Sequence, residues 1–338
     1  MMSVIESFFN DCWYKGRYRP FVYFLLPLSL IYHLIIVLRQ KAYEHEIFKR
    51  HPINAPVIVV GNITVGGTGK TPLVIWLAGL LMHAGYKPGI VTRGYGGRAT
   101  MWPQQVRPDS DPIVVGDEAL MMAINCKCPV AVDPDRHEAA NALIAQEKCD
   151  VIITDDGLQH YAFERDIEIA VIDGIRRFGN CQLLPAGPLR EPVNRLDTVD
   201  VIISNGFSER GEFSMTLKEK GIYNLCDDKD VRDIDSFKTK TVHAIAGIGN
   251  PERFFTHLKK LGLDIIKHPF PNHHKYRKDD IIFDDDLDVL MTEKDAVKCR
   301  RFANTRHWYV KVVVKPQEQF THKVLTLLKD VYVQPTEF

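Results

Sequence analysis

Val57-Ile58-Val59-Val60-Gly61-Asn62-Ile63-Thr64-Val65-Gly66-Gly67-Thr68-Gly69-Lys70-Thr71-Pro72 is an apolar, β-branched run that enters a glycine-rich turn and closes on Gly-Lys-Thr. A segment of helical character follows. Strand, loop and helix in this order make a phosphate-binding P-loop, in which backbone N–H groups close around an anion, Lys70 adds a point charge and the Thr71 hydroxyl can hold Mg²⁺. One letter departs from the general pattern. It asks for glycine five residues before Gly69, where Thr64 stands. The nucleotide cradle expected from this stretch is Thr64, Val65, Gly66, Gly67, Thr68, Gly69, Lys70 and Thr71.

Outward from the loop, strand and helix patterns alternate. Strands are predicted over 57–60, 89–92, 129–132, 151–154, 167–172 and 199–204, with helices over 73–84, 118–125 and 136–147. Beyond a charged, pattern-poor stretch at 206–240, further strands are predicted over 241–246, 264–268, 289–291 and 308–314, with a helix over 252–261. Such alternation implies an α/β fold with a mostly parallel sheet, whose ligands bind at the carboxyl ends of the strands. Lys70, Arg93, Asp155, Asp156 and Asp173 all follow β runs. Gly247-Ile248-Gly249-Asn250-Pro251 lacks the third glycine of a dinucleotide fingerprint and reads as a tight strand-to-helix turn. The expected division is an N-terminal membrane-associated helical segment (1–45), a P-loop NTPase-like core (46–205), a connection (206–240) and a smaller C-terminal α/β lobe (241–338).

The 338 residues are 45% hydrophobic and 25% charged with zero net charge, so no global basic field points to nucleic acid. Seven scattered cysteines without a CxxC fit a reduced cytoplasmic setting and no zinc site. Residues 21–38 are apolar apart from Pro27, Ser29 and His33, with aromatic and basic residues before them and Arg39 and Lys41 behind. The run sits at the length threshold for a membrane span. Pro27 near its middle and the absence of a small-residue cleavage site favour a helix lying on or shallowly in a membrane surface over a signal peptide; a buried core helix is the other reading.

A phosphoryl-transfer site needs a metal-holding carboxylate and a group that positions or deprotonates the acceptor. Asp155-Asp156, directly after an apolar strand, suits the metal role together with Thr71. Asp117-Glu118 opens a helix, where a capping role explains Asp117 equally well. His273 and His274 lie in a loop with no apolar neighbours, where they could orient a carboxylate or a phosphate; a solvated loop is the other reading. Glu293-Lys294-Asp295 after a strand resembles the motif with which GTPases read guanine and hints at a base pocket.

Seven segments occur in order: Gly61 to Pro72, Thr92-Arg93-Gly94-Tyr95-Gly96, Gly116-Asp117-Glu118, Thr154-Asp155-Asp156-Gly157-Leu158-Gln159-His160, Leu184 to Pro192, His273-His274-Lys275-Tyr276 and Thr292-Glu293-Lys294-Asp295. Their combination resembles the tetraacyldisaccharide 4′-kinase family, from the apolar N-terminal run to about Val314. The resemblance implies a kinase of lipid A (lipopolysaccharide) biosynthesis on the cytoplasmic face of the Gram-negative inner membrane. It would transfer the γ-phosphoryl of ATP to the 4′-hydroxyl of a tetraacylated glucosamine disaccharide 1-phosphate, giving lipid IVA. It also implies that a small hydroxyl residue at Thr64 is a family mark. By motif, Lys70 and Thr71 would bind phosphates and Mg²⁺, with Asp155 and Asp156 around the metal. Asp117 would be the base, supported by one of the histidines, with His273 preferred. Glu191 would share that polar cluster, and Arg93, Tyr95, Arg98 and Arg190 would face the substrate. No nucleic acid or protein partner is implied. The competing reading is a membrane-associated P-loop ATPase switch of the partitioning or metallochaperone type, whose loop carries an early lysine where Val65 stands.

Overall fold

The computed structural model describes residues 2–333. The chain opens with two helices, α1 (Met2–Tyr14) and α2 (Arg19–Glu44). There follow β1 (Val57–Gly61), α3 (Lys70–His83), β2 (Pro88–Thr92), β3 (Gln104–Val106), α4 (Pro112–Val115), α5 (Asp117–Asn125), β4 (Val130–Val132), α6 (Arg136–Glu147), β5 (Val151–Asp155), β6 (Ile167–Asp173) and β7 (Val201–Asn205). The remainder holds β8 (Phe213–Asn224), β9 (Val231–Arg232), β10 (Thr241–Ala246), α7 (Pro251–Lys260), β11 (Asp264–Pro269), β12 (Val289–Thr292), α8 (Glu293–Cys299), β13 (His307–Pro316) and α9 (Glu318–Val333).

All strands join one sheet in the order β11-β10-β12-β13-β8-β7-β6-β1-β5-β2-β4-β3, with β9 added beside β8. β1 lies between β5 and β6, both parallel to it, and is buried along its whole length. That position accounts for its unbroken Val-Ile-Val-Val composition, since a parallel strand covered on both faces has no polar side. Helices α3, α5 and α9 share one apolar cluster with the sheet, while α6 and Ile36 of α2 belong to the cluster on the other face.

Residues 206–240, expected to be a pattern-poor connection, contain the twelve-residue strand β8. It pairs parallel to β7 and antiparallel to β13, and so joins the two parallel halves into one sheet. Helix α3 starts at Lys70, ahead of the predicted residue 73, so the P-loop lysine and threonine belong to its first turn.

Helix α2 is longer than the apolar run suggested and carries Pro27 inside it. Only 11% of its most apolar stretch is buried, which does not fit a core helix. Its inner face is tied down by polar groups. Ser29 Oγ donates to the Leu183 carbonyl at 2.9 Å and accepts from the Ala186 N–H at 3.0 Å, and the Tyr32 hydroxyl donates to the Arg190 carbonyl at 3.1 Å. Its outer face leaves Phe24, Leu30, Ile31, Leu34 and Leu38 more than half exposed.

Candidate active site

The phosphate loop runs from the end of β1 into α3. Gly69 holds the turn with φ 99°, and a Cβ there would sit 2.8 Å from the Asn205 amide nitrogen, so both conformation and space demand glycine. Asn205, at the end of β7, donates to the Thr68 carbonyl at 3.1 Å and steadies the loop from the β7 side. On the other flank the Val65 N–H donates to the Pro188 carbonyl and the Arg190 N–H to the Ile63 carbonyl. Thr64 is buried in this join and bridges Leu189, so the letter that departs from the general pattern is where segment 183–191 docks. Gly66 and Gly67 stay exposed, approached by the turn after β10: a Cβ on Gly249 would lie 3.7 Å from the Gly67 nitrogen.

Beside the loop stand Asp155, the last residue of β5, and Asp156, which follows it in the turn. Lys70 Nζ donates to Asn62 Oδ1 at 2.9 Å and lies 3.4 Å from Asp156. Arg190 grips both Asp156 oxygens at 3.0 Å and also reaches Asn62 Oδ1. Burial works against the Asp156 charge, but Lys70 and Arg190 outweigh it and hold the carboxyl well below the usual range. Asp155 goes the opposite way. It is fully enclosed, and burial first, then the Glu118 charge, push its pKa up. The Thr71 hydroxyl donates to Asp155 Oδ2 at 3.1 Å, while Oδ1 is buried without a hydrogen-bond partner. An orphaned carboxylate oxygen beside a threonine hydroxyl is an all-oxygen donor set of the kind a hard divalent cation takes.

The second cluster centres on Asp117. Gly116, at φ 91°, brings the backbone against the Tyr95 carbonyl and starts α5 with Asp117 at its first residue. His273 Nδ1 lies 3.1 and 3.3 Å from the two Asp117 oxygens, and the Lys294 and Lys298 ammonium groups stand 4.0 and 3.9 Å away. Burial raises the Asp117 pKa, yet His273, Lys294 and Lys298 together bring it down to about 2. Lys294 also donates to Glu118 at 2.8 Å and faces His273 Nε2 at 3.4 Å. With Nε2 facing a cationic donor, the network fits the tautomer with its proton on Nδ1, donating to Asp117. His274 turns away, pairing with Asp280 at 3.1 Å and stacking on Phe270. The site thus sets a phosphate loop with a cation-ready carboxylate beside a buried, ionised aspartate, and Glu118 links the two clusters.

A family model described as tetraacyldisaccharide-1-P 4′-kinase matches residues 21–329. The chain belongs to this family. A tetraacyldisaccharide 4′-kinase of Nitrosococcus oceani is 50% identical over 328 residues, covering 97% of this chain and 96% of its own. A relative of the same name from Coxiella burnetii is 44% identical over 310 residues, 92% of each chain. A crystal structure of LpxK from Aquifex aeolicus, an "apo" form in complex with ATP, superposes with a TM-score of 0.77 at 27% identity, covering 91% of this chain and 99% of that one. The ATPase-switch alternative finds no support in these likenesses.

Several residues expected at the family's site occupy different surroundings. Glu191 does not share the Asp117 cluster; it is 1% exposed and takes its hydrogen bonds from Gln159, Tyr161 and Gln40, on the side facing α2. Glu293 pairs with Asn125 at 2.8 Å, and fully buried Asp295 accepts from the Gly247 N–H and the Thr292 hydroxyl. Lys294 sits with Asp117 and Glu118, so Glu293, Lys294 and Asp295 brace helix α5, the Asp117 cluster and the turn of β10. Tyr95 lies against the His273 ring, with centroids 4.9 Å apart, and Arg93 and Arg98 are exposed on the same loop.

Sequence reasoning missed Lys298 and Arg136. Lys298 follows Lys294 by four residues on α8, a spacing that puts both on one helix face and could have flagged it. Arg136 is buried and donates to the carbonyls of Asp155 and Asp156 at 3.2 and 2.9 Å, fixing the turn at φ 52° of Asp156. No pattern in the sequence marks it.

Proposed function

We propose that this chain is a kinase that transfers the γ-phosphoryl of ATP to the 4′-hydroxyl of a tetraacylated glucosamine disaccharide 1-phosphate, forming lipid IVA in lipid A biosynthesis. The observation that carries the reading is Asp117, buried, ionised and held by His273, Lys294 and Lys298 beside a phosphate loop. Asp117 accepts the proton of the sugar hydroxyl. A carboxylate with so low a pKa is a weak base, but the loose transition state of phosphoryl transfer asks chiefly for a positioned acceptor. His273 keeps the carboxylate turned toward the acceptor. Lys70 leaves Asn62 and Asp156 for the transferring phosphates, and Arg190, Arg93, Arg98 and Tyr95 face the substrate's sugars and phosphate.

The donor set at Asp155 and Thr71 fits Mg²⁺, with Asp156 beside it. When bound there, Mg²⁺ supplies the charge that neutralises the β- and γ-phosphate oxygens. The exposed apolar face of α2 supports a seat on a membrane surface, and on this reading the enzyme works at the cytoplasmic face of the inner membrane, beside its lipid acceptor. The lobes 46–205 and 241–338, joined through 206–240, enclose ATP and acceptor between them.

Incubation with γ-labelled ATP and detergent-dispersed disaccharide lipid tests the reading. Label moving to the lipid supports it; label released only as free phosphate refutes it.

A further inference from the structure

Glu191 is a carboxylate deep in the protein, and an enclosed charge is costly unless it is paired or well hydrogen-bonded. Its nearest cation, Arg195, stands 3.8 Å away and already binds Glu168 at 2.6 Å. The bonds that hold Glu191 come from three neutral donors instead. Gln159 Nε2 donates to Oε2 at 2.7 Å, the Tyr161 hydroxyl donates to Oε1, and Gln40 Nε2 reaches Oε1 at 3.4 Å and the Tyr161 oxygen at 2.8 Å. Here the carboxylate joins α2, which carries Gln40, to the turn after β5, which carries Gln159 and Tyr161.

From Gln159 the connection continues into the phosphate loop. The same Gln159 amide nitrogen donates to the Asn62 carbonyl at 3.0 Å. Both of its targets are acceptors, so only the NH₂ end can face them, and the buried Oε1 is left without a partner. An amide that leaves its own oxygen unsatisfied to keep two donor bonds is under geometric demand from both sides. Asn62 in turn fixes its side chain by donating to the Thr64 carbonyl at 2.8 Å, and its Oδ1 accepts from Lys70 and Arg190.

We propose that Gln159 is a positioning residue for Lys70, acting through Asn62, and that Gln40 and Glu191 tie it to α2, so that the seating of the apolar helix sets the geometry of the phosphate loop. Glu191 on this account touches no substrate. The inference rests on the kinase reading for its purpose, but nucleotide binding reads it out without any lipid.

Gln159→Ala, Gln40→Ala and the double variant test it, with the dissociation constant of a fluorescent ATP analogue measured in the absence of lipid, and kcat and the lipid KM measured alongside. Gln159→Ala is expected to weaken nucleotide binding about tenfold, and Gln40→Ala about threefold, each with the lipid KM unchanged. The double variant should bind about as weakly as Gln159→Ala alone, because both changes cut one chain. Multiplying effects, about thirtyfold in the double variant, would overturn the link to α2. Unchanged nucleotide binding in Gln159→Ala, or a lipid KM that rises with it, would overturn the positioning role. If Gln159→Ala does not fold, Tyr161→Phe takes its place. It removes one hydroxyl, keeps the ring and must weaken nucleotide binding about threefold for the proposal to stand. Failure of lipid phosphorylation in the unaltered protein would refute the kinase reading and leave the binding test intact.

Discussion

Asp117→Asn keeps the outline of the side chain and removes the charge on which His273, Lys294 and Lys298 converge. Two consequences can be worked from the structure. The first is thermodynamic. Asp117 titrates at about 2 in the fold against an ordinary 3.8, and that difference amounts to about 2 kcal/mol of stability at neutral pH. Because the folded pKa is the lower one, this contribution is fully present above the ordinary value and disappears as pH falls through about 2. The stability gap between parent and variant should therefore be flat across neutral pH and close only in strong acid. Lys294 keeps Glu118 at 2.8 Å and Lys298 keeps Asp295 at 2.8 Å, so neither ammonium is stranded by the change.

The second consequence is kinetic. An amide cannot accept the acceptor's proton, and loss of a general base costs on the order of 10²–10⁴ in rate. None of the Asp117 partners lies in the phosphate loop, so the affinity for ATP should stay within about twofold of the parent, less than the worth of one hydrogen bond. The assay is turnover of γ-labelled ATP with saturating lipid, beside calorimetric titration with ATP and urea melts at several pH values. Turnover within about threefold of the parent would refute the assignment of Asp117 as base, since general-base catalysis is worth far more. Loss of ATP affinity matching the loss of turnover would show that the two clusters do not divide the work.

Lys70→Ala removes the one lysine of the phosphate loop and is expected to lower turnover about a hundredfold or more, by loss of charge at the transferring phosphates; near-parental turnover would remove the P-loop assignment. Deleting residues 1–40 should shift the protein from sedimenting with lipid vesicles to the soluble fraction. It should also lower the melting temperature, because Ser29, Tyr32 and Gln40 leave buried partners behind. A full-length protein that never sediments with vesicles would refute the surface-helix reading.

What the sequence made legible was local. Four β-formers before a glycine turn and Gly-Lys-Thr specify strand, loop and helix within sixteen residues, and the structure has them there. β8 escaped for a local reason too. Its Lys218-Glu219-Lys220-Gly221 crosses a register shift opposite Lys311 and Val312, so a bulge breaks the two-residue period that would have announced a strand. The roles of Asp117 and Glu191 could not be read in this way. Asp117 opens a helix, as a capping residue would, and its decisive partner His273 is 156 residues away. Glu191 follows Arg190 directly, yet Arg190 faces Asp156 while Glu191 faces Gln40 and Gln159. Neighbours in sequence on opposite sides of an extended segment serve different sites, and only the path of the chain shows which.

That alternation explains why segment 183–191 matters to both ends of the molecule. Its carbonyls at Leu183 and Arg190 receive Ser29 and Tyr32 of α2, its backbone pairs with Thr64 and Ile63 of the phosphate loop, and its arginine neutralises Asp156. Lys70 rests on Asp156 in this structure, so the cation that the triphosphate needs is already in place, and Arg190 keeps Asp156 paired when Lys70 leaves it. Nucleotide entry then exchanges one anionic partner for another and strips no cation of its partner, which keeps the electrostatic cost of binding low. The exchange succeeds only if Lys70 starts from a fixed point. Asn62 supplies that point, and the hydrogen bonds that hold Asn62 lead back through Gln159 and Glu191 to α2.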